Sequence, residues 1–251
     1  LRIIWAAYNR TRNLGDIQKV DYLTFPSDVD ILTYSFPCQD LSVSGYWHNN
    51  TSGIDRDAEN RSPLLWQIER ILKEYVASQK KLPRFLLMEN VSNILSQRHI
   101  DNFNEWKTFL ESLGYINKVY TLDARNFGVP QARKRTFMLS VLAENDIEIR
   151  RIDEYLNAND LQTFKTTQLK NISDFLRLDY SVEKYKKEAI ESTPRFTESR
   201  KKIFRDNIVL ATVTKINASA AKTVTTKQDR NPNSGIIKYA KNDYLVEWNT
   251  H

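Results

Sequence analysis

Three groups of reactive residues stand where apolar segments end or begin. Cys38, the only cysteine among 251 residues, follows the apolar segment 30–36, and Glu89 follows the segment 85–88. A basic cluster at 131–135 precedes another apolar segment. A thiol, a carboxyl group and guanidinium groups can supply nucleophilic attack, proton transfer and stabilisation of an anion. Taken singly, none is specific, because a lone cysteine is more often an inert buried residue and charged clusters are common on surfaces.

The hydrophobic pattern predicts alternating strands and helices to carry these residues. Ser62 and Pro63 are typical of a helix start, and apolar residues recur at helical spacing over 64–75. A second helix is predicted over 103–113, ended by Gly114. Strands, of which the first two are predicted to be buried, are expected over 30–36, 85–88, 115–122 and 136–141. The alternation predicts an α/β sheet with helices on its faces and a ligand crevice beyond the carboxyl ends of the strands.

Composition excludes several classes of site. One cysteine is too few for a disulfide framework or a thiolate zinc site, and the three histidines show no ligand spacing, so no metal is expected. There are only six glycines, where average usage predicts about seventeen. They never form a G-x-G-x-x-G or P-loop pattern.

Nothing in the sequence indicates membrane insertion or secretion. No apolar segment approaches the roughly 18 to 20 residues that span a bilayer, and no signal-peptide pattern is present. We therefore expect a cytoplasmic protein. The chain starts without Met, and we expect it to be a trimmed piece of a longer protein.

The charge is unevenly distributed along the second half of the chain. The whole chain carries a net charge of +6, but residues 142–183 carry −4 and residues 184–241 carry +9. A basic block of this size favours a polyanionic partner, although a solvated surface explains it equally well. On the first interpretation Lys201, Lys202 and Arg205 would contact phosphates.

Together, three segments resemble the cytosine-C5 methyltransferase family. They are Pro-Cys-Gln at 37–39, Glu-Asn-Val at 89–91 and Gln-x-Arg-x-Arg at 131–135. The similarity extends to Gly-Asp-Ile at 15–17 and to 61–66, and covers residues from about 13 to 141. It implies a Rossmann-like, S-adenosylmethionine-dependent methyltransferase sheet with helices on both faces, plus a smaller, mostly irregular target-recognition region.

The resemblance also implies a covalent mechanism. Because C5 of cytosine is a poor nucleophile, the ring must first become electron-rich by addition at C6, and Cys38 would be the attacking thiolate. Glu89 would protonate or hydrogen-bond N3. Arg135, or Arg133 as the weaker candidate, would stabilise O2, and Asn90 would hold the geometry of the pocket.

The methyl donor implied by the resemblance is S-adenosylmethionine, which leaves as S-adenosylhomocysteine. By motif match, Asp16 would accept from the adenine amino group and Ile17 would lie beside the ring. Pro37 and Leu64 would line the pocket, although a leucine at position 64 of an amphipathic helix is equally explained as a core residue.

The partner implied is double-stranded DNA with the target cytosine flipped out of the helix. Gln39, Ser42 and Ser44 would face the DNA, and the polar stretch 46–60 would close over the base. The implied domains are a partial catalytic domain at 1–141, a target-recognition region at 142–220, and a segment at 221–251 that returns towards the catalytic domain.

Two family features are missing. No Phe-x-Gly-x-Gly loop precedes Gly15, and the arginine-rich and asparagine-containing motifs that normally follow a segment such as 221–226 are absent. We therefore expect a longer protein, monomeric when complete, or a second chain that supplies the rest. The 251 residues alone should bind cofactor weakly and have little activity.

Three functional hypotheses follow. The first is a bacterial DNA cytosine-5 methyltransferase of a restriction–modification system. The second is the tRNA-acting branch of the family, which usually carries a Cys-Phe-Thr tripeptide that a chain with one cysteine cannot contain. The third is a catalytically incomplete nucleic-acid-binding fragment, which the joint presence of Cys38, Glu89 and Arg135 disfavours.

Overall fold

The computed structural model describes most of the first two thirds of the chain and short parts of the rest. The described residues are 13–26, 28–36, 64–168, 170–191, 197–198, 213–215, 218–223, 236–238 and 245–246. They belong to two compact units. The first unit comprises Leu1–Thr121 and Arg135–Gln162, and the second comprises Leu122–Lys134 and Thr163–His251. Within the described ranges, no helix is long and apolar enough to cross a membrane.

The first unit is built on a mixed four-stranded sheet. Its strands are β1 (Ile31–Tyr34), β2 (Phe85–Val91), β3 (Tyr115–Asp123) and β5 (Lys134–Leu142), in the order β1-β2-β5-β3. β1 and β2 are parallel, with Ile31 opposite Phe85. β5 runs antiparallel to β2, with Glu89 opposite Phe137. The amino end of β5 therefore meets the carboxyl end of β2.

Three helices accompany this sheet along the chain, namely α1 (Leu64–Ala77), α2 (Ile100–Ser112) and α3 (Asp146–Ala158). α1 buries Leu65, Ile68 and Leu72, which recur every three to four residues and so form one apolar stripe. The stripe packs into a core with α2 and the sheet, where the Trp106 indole donates to the Tyr34 hydroxyl at 2.9 Å. This bond satisfies two polar groups that burial would otherwise penalise.

The predicted helices and strands are confirmed in type and nearly in extent. The helix predicted over 64–75 is Leu64–Ala77, and the one predicted over 103–113 is Ile100–Ser112. Gly114 follows with φ of +93°, a left-handed conformation that glycine adopts without strain. The four-stranded sheet and its helices confirm the predicted α/β class.

The prediction that the first two strands are buried is wrong. Leu86 and Met88 are fully buried, but Phe85 and Leu87 between them are 38% and 37% exposed, and Ile31 is 61% exposed. Successive side chains of a strand point to opposite faces, so only one face of β2 contacts the core. Because both faces carry apolar residues, the sequence shows no polar alternation that would reveal the open face.

Where the structure describes the second unit, it consists mainly of short elements and irregular chain. They are β4 (Gln131–Ala132), β6 (Val213–Lys215), β7 (Ala221–Lys222), β8 (Ile236–Lys238), β9 (Leu245–Val246) and α4 (Glu183–Glu191). β4 pairs in parallel with β7, and the other three strands form a separate sheet in the order β6-β8-β9. Ile172 and Ala221 form a small buried cluster of the second unit. Few long elements are present in the part of this unit that the structure describes.

Candidate active site

Glu89 and Asn90 are consecutive residues near the carboxyl end of β2, so their side chains point to opposite faces of the sheet. Asn90 is on the core side and is buried, whereas the Glu89 side chain is 37% exposed. The two neighbouring strands contribute the groups that surround these side chains. One pair of adjacent residues therefore offers a carboxylate to the open face and an amide to the interior.

Glu89 is held between a hydroxyl group and a guanidinium group. The Arg135 Nε lies 3.1 Å from one carboxylate oxygen, Oε1. The Ser35 hydroxyl donates to the other oxygen, Oε2, at 3.3 Å. These three side chains, which we call the Glu89 triad, come from β2, β5 and the end of β1. The triad places an acid–base group beside a fixed cation.

The antiparallel direction of β5 explains why Arg135 reaches Glu89. Arg135 is opposite Val91 in the β2–β5 register, two residues from the position opposite Glu89. Diagonal pairs of this kind are within reach of long side chains on the same face of a sheet. The basic residues at the start of β5 therefore lie beside the residues at the end of β2. The Arg135 side chain is only 23% exposed, which limits its motion and its screening by water.

Asn90 joins β2 to the end of β1 through the protein interior. Its side-chain nitrogen donates to the Phe36 carbonyl at 3.2 Å, and its side-chain oxygen accepts from the Val91 amide at 2.8 Å. Phe36 itself is 5% exposed. Because Phe36 is two residues before Cys38 in the sequence, Asn90 fixes the chain just before the only thiol.

Ile17 begins a short 3-10 turn, Ile17–Lys19, in the first unit. Asp16 precedes it as the N-cap, and we call this element the Asp16 turn. The Asp16 side chain accepts from the Gln18 amide at 3.0 Å and so caps the turn, while remaining exposed to solvent. Ile17 and Leu64 are half-buried, and both pack against the same core cluster. An exposed carboxylate beside half-buried aliphatic side chains suits a planar, amino-bearing ring, since it offers one acceptor and an apolar surface.

Arg133 belongs to the second unit, on the turn that leads into β5. Its backbone amide donates to the Gln131 carbonyl at 2.9 Å, and its carbonyl accepts from the Ala124 amide at 3.0 Å. The preceding β4 is fixed by pairing with β7 and by the Thr223 hydroxyl, which donates to the Ala132 carbonyl at 3.0 Å. The backbone that carries Arg133 is thus held on both sides.

A carboxylate with a perturbed pKa lies at the start of an earlier turn of the same unit, Ala124–Phe127. The Arg125 side chain donates to both oxygens of Asp123, at 3.0 and 2.6 Å. This bonding lowers the pKa of the Asp123 carboxyl group below its usual range, and burial opposes the shift only in part. Asp123 also accepts from the Arg125 backbone amide and caps the turn Ala124–Phe127. The pair stabilises the turn that precedes Gln131.

The remaining predicted site residues lie outside the described residues. They are Pro37, Cys38, Gln39, Ser42, Ser44, Lys201, Lys202 and Arg205. Sequence reasoning missed two residues that the structure places at these sites, Ser35 in the Glu89 triad and Arg70 beside the Asp16 turn. Ser35 lies within the predicted strand 30–36, but its partner depends on the register between strands. Arg70 had no distinct signal, since it follows Glu69 in a helix that alternates apolar and charged residues.

Comparison with known proteins gives one matching family. The model of the family described as C-5 cytosine-specific DNA methylase matches residues 3–249. Type II methyltransferase M2.ScrFI of Lactococcus lactis subsp. cremoris is 42% identical over 146 residues, which is 58% of this chain and 38% of that protein. Orphan methyltransferase M.SssI of Spiroplasma monobiae is 37% identical over 217 residues, which is 78% of this chain and 54% of that protein. The chain thus spans about half the length, or less, of these relatives.

Solved structures share the fold at low sequence identity. The methyltransferase EhMeth of Entamoeba histolytica aligns with a TM-score of 0.68 at 15% identity, covering 98% of this chain and 71% of that one. The Dnmt2 methyltransferase of S. pombe aligns with a TM-score of 0.62 at 18% identity, covering 96% and 65%. At this level of identity the similarity establishes the fold.

Proposed function

Because the chain belongs to the C-5 cytosine-specific DNA methylase family, we propose that it carries the catalytic centre of an enzyme that methylates C5 of cytosine in duplex DNA. The observation that carries this proposal is the Glu89 triad, which lies at the sheet edge where β1 leads into Pro37 and Cys38. It supplies an acid and a cation, and Cys38, which follows Ser35 by three positions in the sequence, would supply the nucleophile. These are the three groups that covalent activation of a cytosine ring requires.

The proposed reaction begins at Cys38. Its thiolate attacks C6 of the flipped cytosine, forming an S–C6 bond while the C5–C6 double-bond electrons move into the ring towards N3 and O2. The resulting enamine is nucleophilic at C5. C5 then gains the methyl group. A water molecule takes the C5 proton, the C5–H electron pair restores the C5–C6 double bond, and the S–C6 bond breaks as the sulfur leaves with its electron pair.

Glu89 and Arg135 would control the charge that forms on the ring. Glu89 delivers a proton to N3 as the sulfur adds, and takes it back as the sulfur leaves. Arg135 donates to O2 and stabilises the negative charge there. Ser35 keeps the Glu89 carboxyl group oriented by bonding its second oxygen. The Arg135 Nε and Glu89 Oε1 atoms are 3.1 Å apart, so the two groups could contact the neighbouring O2 and N3 atoms of one ring.

The cofactor proposed is S-adenosylmethionine, which when bound supplies the methyl group. Asp16 would accept a hydrogen bond from the adenine amino group, and Ile17, Leu64 and Pro37 would contact the apolar faces of the ligand. The exposed position of Asp16 and the half-buried positions of Ile17 and Leu64 fit these roles. We propose that residues outside this chain, in the same protein or in a second one, complete the pocket.

The proposed substrate is double-stranded DNA within the bacterial cytoplasm, as part of a restriction–modification system. Support comes from the relatives named as type II methyltransferases and from the net charge of +9 over residues 184–241. Lys201, Lys202 and Arg205 would neutralise phosphates, and Gln39, Ser42 and Ser44 would contact the DNA near the flipped base. The domain boundaries proposed from the sequence, 1–141, 142–220 and 221–251, assign these basic residues to target recognition.

Covalent trapping tests the proposal directly. The full-length gene product is incubated with S-adenosylmethionine and either duplex DNA or tRNA containing 5-fluorocytosine, and adducts are resolved on a denaturing gel. We expect an adduct with DNA, none with Cys38→Ser, and slower formation with Glu89→Gln. Because fluorine cannot leave C5 as a cation, the adduct accumulates. Methylation of DNA by Cys38→Ser would refute the nucleophile assignment, and an adduct with tRNA alone would refute the substrate.

A further inference from the structure

Arg70 on α1 donates to the backbone at the first residue of the Asp16 turn and at the residue that follows the turn. Its Nη2 group lies 3.0 Å from the Ile17 carbonyl oxygen and 3.1 Å from the Val20 carbonyl oxygen. Ile17 begins the 3-10 turn Ile17–Lys19, which Asp16 caps from its amino end, and Val20 is the residue directly after it. The turn is therefore fixed at its beginning by Asp16 and across its length by Arg70.

The Arg70 guanidinium group is itself held in one orientation. Its Nε donates to Gln67 at 2.9 Å, and its Nη1 donates to both oxygens of Glu74 at 2.9 Å. Arg70 and Glu74 are 32% and 30% exposed. Because Gln67 and Glu74 bond Nε and Nη1, the third nitrogen, Nη2, is directed at the Ile17 and Val20 carbonyls. A planar group with several donors in fixed directions suits this arrangement, and a lysine ammonium group does not.

Two more side chains of the first unit, Tyr75 and Lys80, hold the segment that follows the Asp16 turn. The Tyr75 hydroxyl donates to the Pro26 carbonyl at 3.1 Å, and the Lys80 ammonium group donates to the Phe25 carbonyl at 3.5 Å. The Phe25 ring packs edge-on against the Tyr75 ring. In the described part of the segment from Asp16 to Pro26 there are only 3-10 turns and loop. α1 and the residues after it therefore determine where this segment lies.

We infer that Arg70 is a positioning residue for the cofactor, which it orients through the Asp16 turn. The inference rests on the proposed function, in which Asp16 and Ile17 contact the adenosyl group. A turn that is already in its binding conformation loses less conformational entropy when the ligand binds. Loss of the Arg70 bonds should therefore weaken cofactor binding and leave the chemical step at saturating cofactor nearly unchanged.

The test compares four substitutions in the full-length gene product. Arg70→Met keeps much of the side-chain length and removes every donor, and Arg70→Lys keeps the charge. Arg150→Met is the matched control, since Arg150 is exposed on α3 and its Nε donates to the Asp146 carbonyl of its own helix rather than to the turn. Asp16→Ala reports on the cofactor site itself. Binding of S-adenosylhomocysteine is measured by calorimetry, and KM for S-adenosylmethionine and kcat are measured with duplex DNA.

We expect Arg70→Met to raise both the Kd and the KM about tenfold with kcat within about twofold, and Arg70→Lys to raise them about threefold. Arg150→Met should match the wild type. Unchanged cofactor affinity in Arg70→Met, with Asp16→Ala weakened, overturns the role of Arg70 alone. Unchanged affinity in both variants overturns the proposed cofactor site as well. If Arg70→Met fails to fold, Arg70→Lys decides, since wild-type affinity in that variant also overturns the inference.

Discussion

Replacing Asn90 by alanine should destabilise the first unit and disturb the end of β1. The substitution leaves two interior groups without their partner, the Phe36 carbonyl and the Val91 amide. Each unsatisfied buried group costs about 1–3 kcal/mol, and partial access of water to the Val91 side favours the lower part of that range. We therefore expect the free energy of unfolding to fall by about 2–4 kcal/mol.

Urea unfolding at neutral pH, followed by tryptophan fluorescence, measures this loss. Asn104→Ala is the control, because Asn104 is exposed on α2 and its removal should be nearly neutral. Asn90→Asp separates the two bonds, since the carboxylate still accepts from Val91 but repels the Phe36 carbonyl. A loss in Asn90→Ala below about 0.5 kcal/mol, the range of ordinary surface substitutions, would refute the reasoning.

Two further outcomes follow from buried polar groups. Tyr34→Phe removes the acceptor of the Trp106 indole and should lower the free energy of unfolding by about 1–3 kcal/mol. The same urea titration measures this loss, and an unchanged midpoint would contradict the prediction. The lowered pKa of Asp123 adds stability that is complete above the unfolded value of about 3.9 and disappears as the pH falls through the folded value. Asp123→Asn should therefore destabilise the second unit more at pH 7 than at pH 3. Hydrogen exchange of the backbone amides of residues 124–133 measures this difference. An equal loss of protection at both pH values would contradict the lowered pKa of Asp123.

Local pattern was sufficient to predict the main elements. The spacing of Leu65, Ile68 and Leu72 places them on one side of any helix, whatever the rest of the chain does. Gly114 likewise ends α2 for a local reason, its positive φ. The motif residues Glu89 and Asn90 could also be located at the end of a strand, because the apolar segment before them is short and bounded.

Contacts that depend on strand order could not be predicted in the same way. Ser35 and Glu89 are 54 positions apart, and their hydrogen bond follows from the parallel pairing of β1 with β2. Arg135 reaches Glu89 only because β5 runs antiparallel, a direction that hydrophobic spacing does not encode. The exposure of Phe85 and Leu87 was hidden for a related reason, since strand burial depends on what covers each face.

The alternation of Glu89 and Asn90 across the sheet constrains how β2 can vary among related sequences. Inserting or deleting one residue between Phe85 and Met88 would turn the amide outward and bury the carboxylate. Length changes should therefore accumulate in the loop that precedes β2, while the strand keeps a constant count of residues up to Glu89. Substitutions that exchange one apolar residue for another at Phe85 or Leu87 leave that count intact, so this stretch can diverge in composition but not in length.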